Sequence, residues 1–154
     1  MIRSVLVICI GNICRSPMAA CLLRRALPEC DVTSAGLSPP VGANADSRAI
    51  RLLADEGCDL ADHRARAVDE TMVAQADLVL VMDSEQRREM ESLFPQARGK
   101  TFRLCEFVHV DVPDPYGGSF NMFSIVLGLI KQGIATWSAQ IQAAESASSV
   151  GDEP

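Results

Sequence analysis

The residues with the clearest chemical potential lie near the start of the chain, where residues 5–18 read VLVICIGNICRSPM. Cys9 and Arg15 are separated by five residues, and Ser16-Pro17 follow at once. A cysteine thiolate is a strong nucleophile, and an arginine can grip two oxygens of one phosphate through its planar fork. A hydroxyl beside the sulfur can donate to it, stabilising it first as nucleophile and then as leaving group. Together these groups suit attack on the phosphorus of a phosphate ester. Asp114, in VPDPYGG, supplies the second requirement of that chemistry, a carboxyl group able to protonate the departing oxygen. Pro113 and Pro115 stiffen the loop that carries it. On residue types alone DPYG is also an ordinary turn, and Asp111 is a competing carboxylate nearby.

Such groups need an element to aim them. Val5-Leu6-Val7-Ile8 is β-branched and apolar, as a buried parallel strand requires. Ser16 is expected to cap a helix over residues 16–27, with Pro17 at its first position. A strand, a tight loop and a helix N-terminus converge backbone N–H groups on an anion, and the helix dipole adds positive potential. The same field is expected to stabilise negative charge on the Cys9 sulfur. Gly11 lets the backbone bend close to the ligand, and Asn12 tolerates a left-handed conformation and can brace the loop. Context separates this loop from a second Cys-x5-Arg match at Cys58 and Arg64, which has no strand before it, no glycine inside it and alanine where Ser16 stands.

The rest of the chain alternates strands and helices. Strands are expected at 31–34, 77–82 and 101–104. Helices are expected from Asp46 to about Glu56, from Asp69 or Thr71, from Ser84 as cap through Leu93, and from Ser119 to about Ala144, with an interruption near Gly128 or Gly133. This alternation predicts one α/β domain over residues 1–145, a central parallel four-stranded sheet with helices on both faces and the phosphate-binding loop after the first strand. Ligands of such sheets sit beyond the carboxyl ends of strands, where Cys9 falls. Residues 146–154 read as a disordered acidic tail.

Composition narrows the field. Apolar content of 48% and charged content of 22% are those of an ordinary globular chain. A net charge of −6 argues against nucleic acid as partner. No run reaches the ~20 apolar residues of a membrane span, so no membrane insertion is expected. The six cysteines show no disulfide framework and nothing at the N-terminus reads as a signal peptide, which points to reduced thiols in a cytoplasm. No Cys or His spacing suggests zinc.

CIGNICRSP resembles the signature loop of the low-molecular-weight protein tyrosine phosphatases. Further segments resemble that family in the same order: Ser34-Ala35-Gly36, Asp62 to Arg66 (DHRAR), Asp77 to Asp83 (DLVLVMD) and Asp114-Pro115-Tyr116. The resemblance runs from Ile2 to about Ala144. It implies Cys9, Arg15 and Asp114 as the catalytic set, with Ile10, Gly11, Asn12, Ile13, Cys14, Ser16 and Tyr116 around the substrate. It implies Asn12, Ser34 and His63 as a network that holds the loop in shape. No metal or other cofactor is implied. Related enzymes can close a disulfide between the positions of Cys9 and Cys14, which suggests reversible protection of the nucleophile from peroxide.

Three relatives in chemistry stand beside this reading. Arsenate reductases share the loop but need relay cysteines, and no cysteine occurs between Cys58 and Cys105. Arginine phosphatases carry threonine where Ile13 stands. A non-catalytic phosphotyrosine-binding module would not require both Cys9 and Asp114. Pro39, Pro40 and Val41 resemble the less aromatic pocket rim of bacterial members, and Gly117 stands where animal members carry a second tyrosine. Bacterial members of this kind oppose tyrosine kinases that control capsule or exopolysaccharide export, so the expected partner is a phosphotyrosine protein of that type.

Overall fold

A computed structural model describes residues 1–151. Four strands, β1 (Ser4–Cys9), β2 (Asp31–Gly36), β3 (Leu78–Val81) and β4 (Thr101–Arg103), form one parallel sheet in the order β2-β1-β3-β4. Five helices connect and flank them: α1 (Arg15–Ala26), α2 (Ser47–Asp55), α3 (Glu70–Gln75), α4 (Ser84–Leu93) and α5 (Phe120–Gly151). β1 is central and wholly apolar after Ser4, since both of its faces are covered. Val5, Val7 and Cys9 face a core built with α1, α2 and α5. Leu6 and Ile8 face a smaller core that includes Val73 of α3 and Met90 of α4. The α/β fold expected from the alternation is the fold observed.

Local caps explain where the helices start. Asp46 accepts from Arg48 N at 2.9 Å, and Asp69 accepts from Met72 N at 2.8 Å. Helix α4 is capped by Asp83, which accepts from Gln86 N at 2.8 Å, and not by Ser84 as expected. Ser84 is drawn instead toward Asp111. Helix α1 also departs from expectation. It begins at Arg15 with Cys14 in the cap position and no side-chain cap bond, because the Ser16 hydroxyl is used elsewhere.

Helix α5 runs unbroken through Gly128 and Gly133. A Cβ on Gly133 would lie 2.7 Å from Leu104 O, so this glycine permits close approach to the end of β4 rather than a break. Of the tail expected at 146–154, residues 146–151 continue the helix, and 152–154 lie outside the described residues. The stretch after Ala144 is rich in Ala, Ser and Glu and contains no proline before residue 154, so nothing local stops the helix. Over Phe120–Ala147, with a mean hydropathy of 1.2, α5 is long and apolar enough to cross a membrane by length and composition. Its inward residues Phe123, Val126, Ile130, Ile134 and Ile141 are packed in the core, which accounts for that apolarity.

Candidate active site

β1 ends at Cys9 and α1 begins at Arg15, so the loop between them is held at both ends by the core. Parallel pairing sets Cys9 beside Gly36 at the end of β2. A Cβ on Gly36 would come within 2.6 Å of Ile10 O, so the loop can lie against β2 only because that residue is glycine. Asn12 takes the left-handed conformation, with φ of 54°. Gly11 does not, and a Cβ there would meet Ile13 at an ordinary 3.6 Å; its bareness matters for the cavity it lines.

The sulfur of Cys9 is the centre of the loop. Asn12 N donates to Cys9 Sγ at 3.2 Å, and Ser16 Oγ lies 3.0 Å away. The direction of the second bond follows from its neighbour. Ser16 Oγ accepts from Asn12 Nδ2 at 2.8 Å, which leaves its own proton free to point at the sulfur. This use of the hydroxyl is what costs α1 its side-chain cap.

Asn12 is completely buried and all of its polar atoms are engaged. Its Nδ2 also donates to Ser34 Oγ at 3.0 Å, its Oδ1 accepts from Arg66 N at 3.0 Å, and its backbone O accepts from His63 Nε2 at 2.6 Å. The Arg66 bond fixes which way the amide faces, and the carbonyl fixes the protonated nitrogen of His63. Burial, together with Arg24, Arg66 and Arg64, holds the His63 pKa below its ordinary value, against the raising effect of the Asn12 bond. The residues expected to brace the loop are therefore in mutual contact. Arg66, which also donates through Nε to Ser34 O, is a brace the sequence reading left without a role.

Arg15 is nearly buried. Nη1 donates to Val112 O at 2.8 Å and lies 3.8 Å from Asp83 Oδ2, while Nη2 lies 3.8 Å from Asp114 Oδ2. Val112 is in turn tied to the end of β3, its N donating to Met82 O at 2.8 Å. Asp83 and Val112 are further supports that motif reading missed, because they touch Arg15 only through the fold. Asp114 is half-exposed, and its Oδ1 accepts from Tyr116 N at 3.0 Å. Asp111 is turned away and paired with Arg103 at 3.1 Å, which removes it as a competitor.

Cys9, Ile10, Gly11, Ile13, Cys14, Arg15, Asp114 and Tyr116 line one open cavity of about 270 Å³, together with Pro40 from the loop after β2. Asn12 and Ser16 lie behind the loop, as buried supports rather than cavity wall. Cys14 is a buried free thiol whose pKa is pushed up to about 12 by burial, with Asp46, Cys9 and Asp114 adding to the shift. Nothing similar gathers at the second Cys-x5-Arg match. Cys58 is buried against Cys21 O, and Arg64 bonds Ala61 O and His63 O beside it.

Comparison with known proteins agrees with this geometry. Residues 4–147 match the family described as low molecular weight phosphotyrosine protein phosphatase. The chain belongs to that family. Among curated members of the low-molecular-weight phosphatase family, the probable low molecular weight protein-tyrosine-phosphatase EpsP of Ralstonia nicotianae is 43% identical over 143 residues, covering 93% of this chain and 99% of its own. The low molecular weight protein-tyrosine-phosphatase Ptp of Acinetobacter johnsonii is 40% identical, covering 90% and 98%. In structure, the tyrosine phosphatase Wzb from Escherichia coli K30 in complex with sulphate superposes with a TM-score of 0.88 at 38% identity, over 92% of this chain and 99% of that one. The YwlE arginine phosphatase from Geobacillus stearothermophilus superposes with a TM-score of 0.89 at 32% identity, over 94% and 96%. The low-molecular-weight phosphatase family accounts for the expected fold and for a phosphatase activity on phosphotyrosine proteins.

Proposed function

We propose that the chain hydrolyses phosphotyrosine in two steps through a phosphocysteine. The observation that carries this reading is the placement of three groups in one cavity: a sulfur with two donors aimed at it, the Arg15 guanidinium, and a carboxylate 3.8 Å from that guanidinium. Cys9 Sγ attacks phosphorus while Arg15 and the amides of residues 10–15 other than that of Asn12 hold the equatorial oxygens. The bond from phosphorus to the tyrosine oxygen breaks, and Asp114 delivers its proton to that oxygen. Asp114, now a carboxylate, takes a proton from water as the water oxygen attacks phosphorus. The phosphorus–sulfur bond then breaks and phosphate leaves. The Ser16 proton and the Asn12 amide stabilise the sulfur at both ends of the cycle.

Ile13 favours an aromatic substrate over phosphoarginine, since it adds an apolar side chain to the cavity wall where arginine phosphatases carry threonine. Tyr116, two-thirds exposed at the rim, offers a face on which a phenyl ring can stack. The physiological substrate in this reading is a cytoplasmic bacterial tyrosine kinase that controls exopolysaccharide or capsule synthesis, supported by the likeness to EpsP and Wzb and by the non-aromatic Pro40 on the cavity wall. Cys14 serves as the reversible partner of an oxidised Cys9.

The deciding experiment is phosphate release from a phosphotyrosine peptide, without added metal, by wild type and Cys9→Ser. Release by wild type alone supports the reading. Equal release by both moves the nucleophile elsewhere, and release from phosphoarginine in preference to phosphotyrosine replaces the substrate. Incubation with a purified cognate kinase should remove its phosphotyrosine signal; a kinase that keeps the signal overturns the assignment of partner.

A further inference from the structure

The loop that carries Asp114 is held at two points. Upstream, Val112 is fixed by Met82 and by Arg15 itself. Downstream, Gly118 closes a turn by donating from its N to Pro115 O at 2.8 Å, and Gly118 O accepts from Arg48 Nη1. Arg48 is the second residue of α2, and it is committed on every side. Its Nε and Nη2 donate to the two oxygens of Asp46 at 3.1 and 3.0 Å, and its guanidinium lies 4.4 Å from the centre of the Phe123 ring in α5. Asp46 in turn donates from its N to Ile13 O at 2.8 Å, inside the phosphate loop. A continuous path therefore runs from Ile13 through Asp46 and Arg48 to Gly118 and Pro115, the residue next to Asp114.

We propose that Arg48 is a positioning residue that clasps the general-acid loop to the phosphate loop, so that Asp114 faces the departing oxygen while Cys9 faces phosphorus. The proposal rests on the phosphotyrosine phosphatase reading. The fork of Arg48 suits the task because two of its nitrogens hold Asp46 while the third reaches Gly118, an arrangement a lysine ammonium cannot reproduce in full. Phe123 supports the plane of the guanidinium from below. Without the clasp, Pro113 and Pro115 still stiffen the loop, but its downstream end loses its tie to α2. A displacement on the order of 1 Å at a reacting group is enough to slow a reaction strongly.

The test uses aryl phosphates whose leaving groups differ in basicity, because a loosened general acid hurts poor leaving groups most. For Arg48→Ala, kcat/KM, which reports only the step that expels the leaving group, should fall about tenfold with phenyl phosphate and less than about twofold with a dinitrophenyl phosphate, a share of the ~100-fold or more that a general acid supplies. Arg48→Lys should show the same pattern at smaller amplitude, and it carries the test if Arg48→Ala does not fold. The rate at which iodoacetate alkylates Cys9 should stay at the wild-type value, since the nucleophile and its loop are intact. In an Asp114→Ala background, Arg48→Ala should cost nothing further, as expected of a residue that acts through Asp114. An equal loss across all leaving groups, an additive loss in the Asp114→Ala background, or no loss at all overturns the proposal. A wild type that hydrolyses none of these esters overturns the phosphatase reading and the proposal with it.

Discussion

Two carboxylates three residues apart have opposite fates, and the difference lies in their partners. Asp111 bonds Arg103 and Ser84 on the surface, whereas Asp114 faces Arg15 in the cavity. Asp114→Ala should lower kcat for a phosphotyrosine peptide by about 100-fold or more, and Asp111→Ala should change it by less than about threefold. Steady-state phosphate release on the two variants checks this, and a larger loss at Asp111 would exchange their roles. Two cysteines of one loop differ in the same way. Cys9 has donors at its sulfur, while burial, with the charges of Asp46, Cys9 and Asp114 adding to it, pushes the pKa of the Cys14 thiol up to about 12. The spacing to Arg15 already singles out Cys9 in the sequence, but that its sulfur receives the donor depends on how the loop turns at Asn12.

At the scale of elements, the site is a strand end and a helix start braced by a loop from elsewhere in the chain. The brace includes His63, which holds Asn12 O through the proton on its Nε2. Because the fold holds this pKa below the ordinary 6.5, the unfolded chain takes up the proton more readily than the folded one. His63 therefore costs stability as pH falls through the ordinary imidazole range, and the cost vanishes above it. Thermal melts of wild type should show a falling midpoint from pH 7 toward pH 5.5 that is reduced in His63→Gln. An unchanged pH dependence in that variant would remove His63 as its source. Sequence reading placed the strand and helix of this loop correctly but misplaced two caps. Ser16 and Ser84 are both good caps in isolation, yet each hydroxyl is taken by a tertiary partner, Cys9 in one case and Asp111 in the other.

The whole molecule is a sheet between two apolar layers, and α5 forms much of one of them. Ile130 sits at its centre, fully buried with Phe123, Leu104 and Met18 around the same core. Ile130→Ala should cost about 2–5 kcal/mol of stability through lost burial and the cavity left behind, read from denaturant unfolding. Its kcat in native buffer should stay near that of wild type, since the residue touches none of the groups at Cys9. A loss of kcat in the folded variant would mean that α5 packing reaches the site directly.

What the sequence determined by itself is local chemistry and its order along the chain. The apolar run before Cys9 must be a buried strand, that strand together with Gly11, Arg15 and Ser16-Pro17 makes an anion loop where the bare spacing would not, and the alternation of strands and helices makes a parallel sheet. Asp114 between two prolines was readable as a carboxylate on a stiffened loop, and its role as the acid came from the resemblance of Asp114-Pro115-Tyr116 to the family. Tertiary structure decided everything that joins distant segments. Arg66 to Asn12 spans 54 residues, Arg48 to Gly118 spans 70, and Arg15 to Val112 spans 97. Backbone atoms take part in each of these bonds, and a backbone N–H or carbonyl is the same whatever the residue type. No motif can mark such a partner, so only the packed chain shows which one is used.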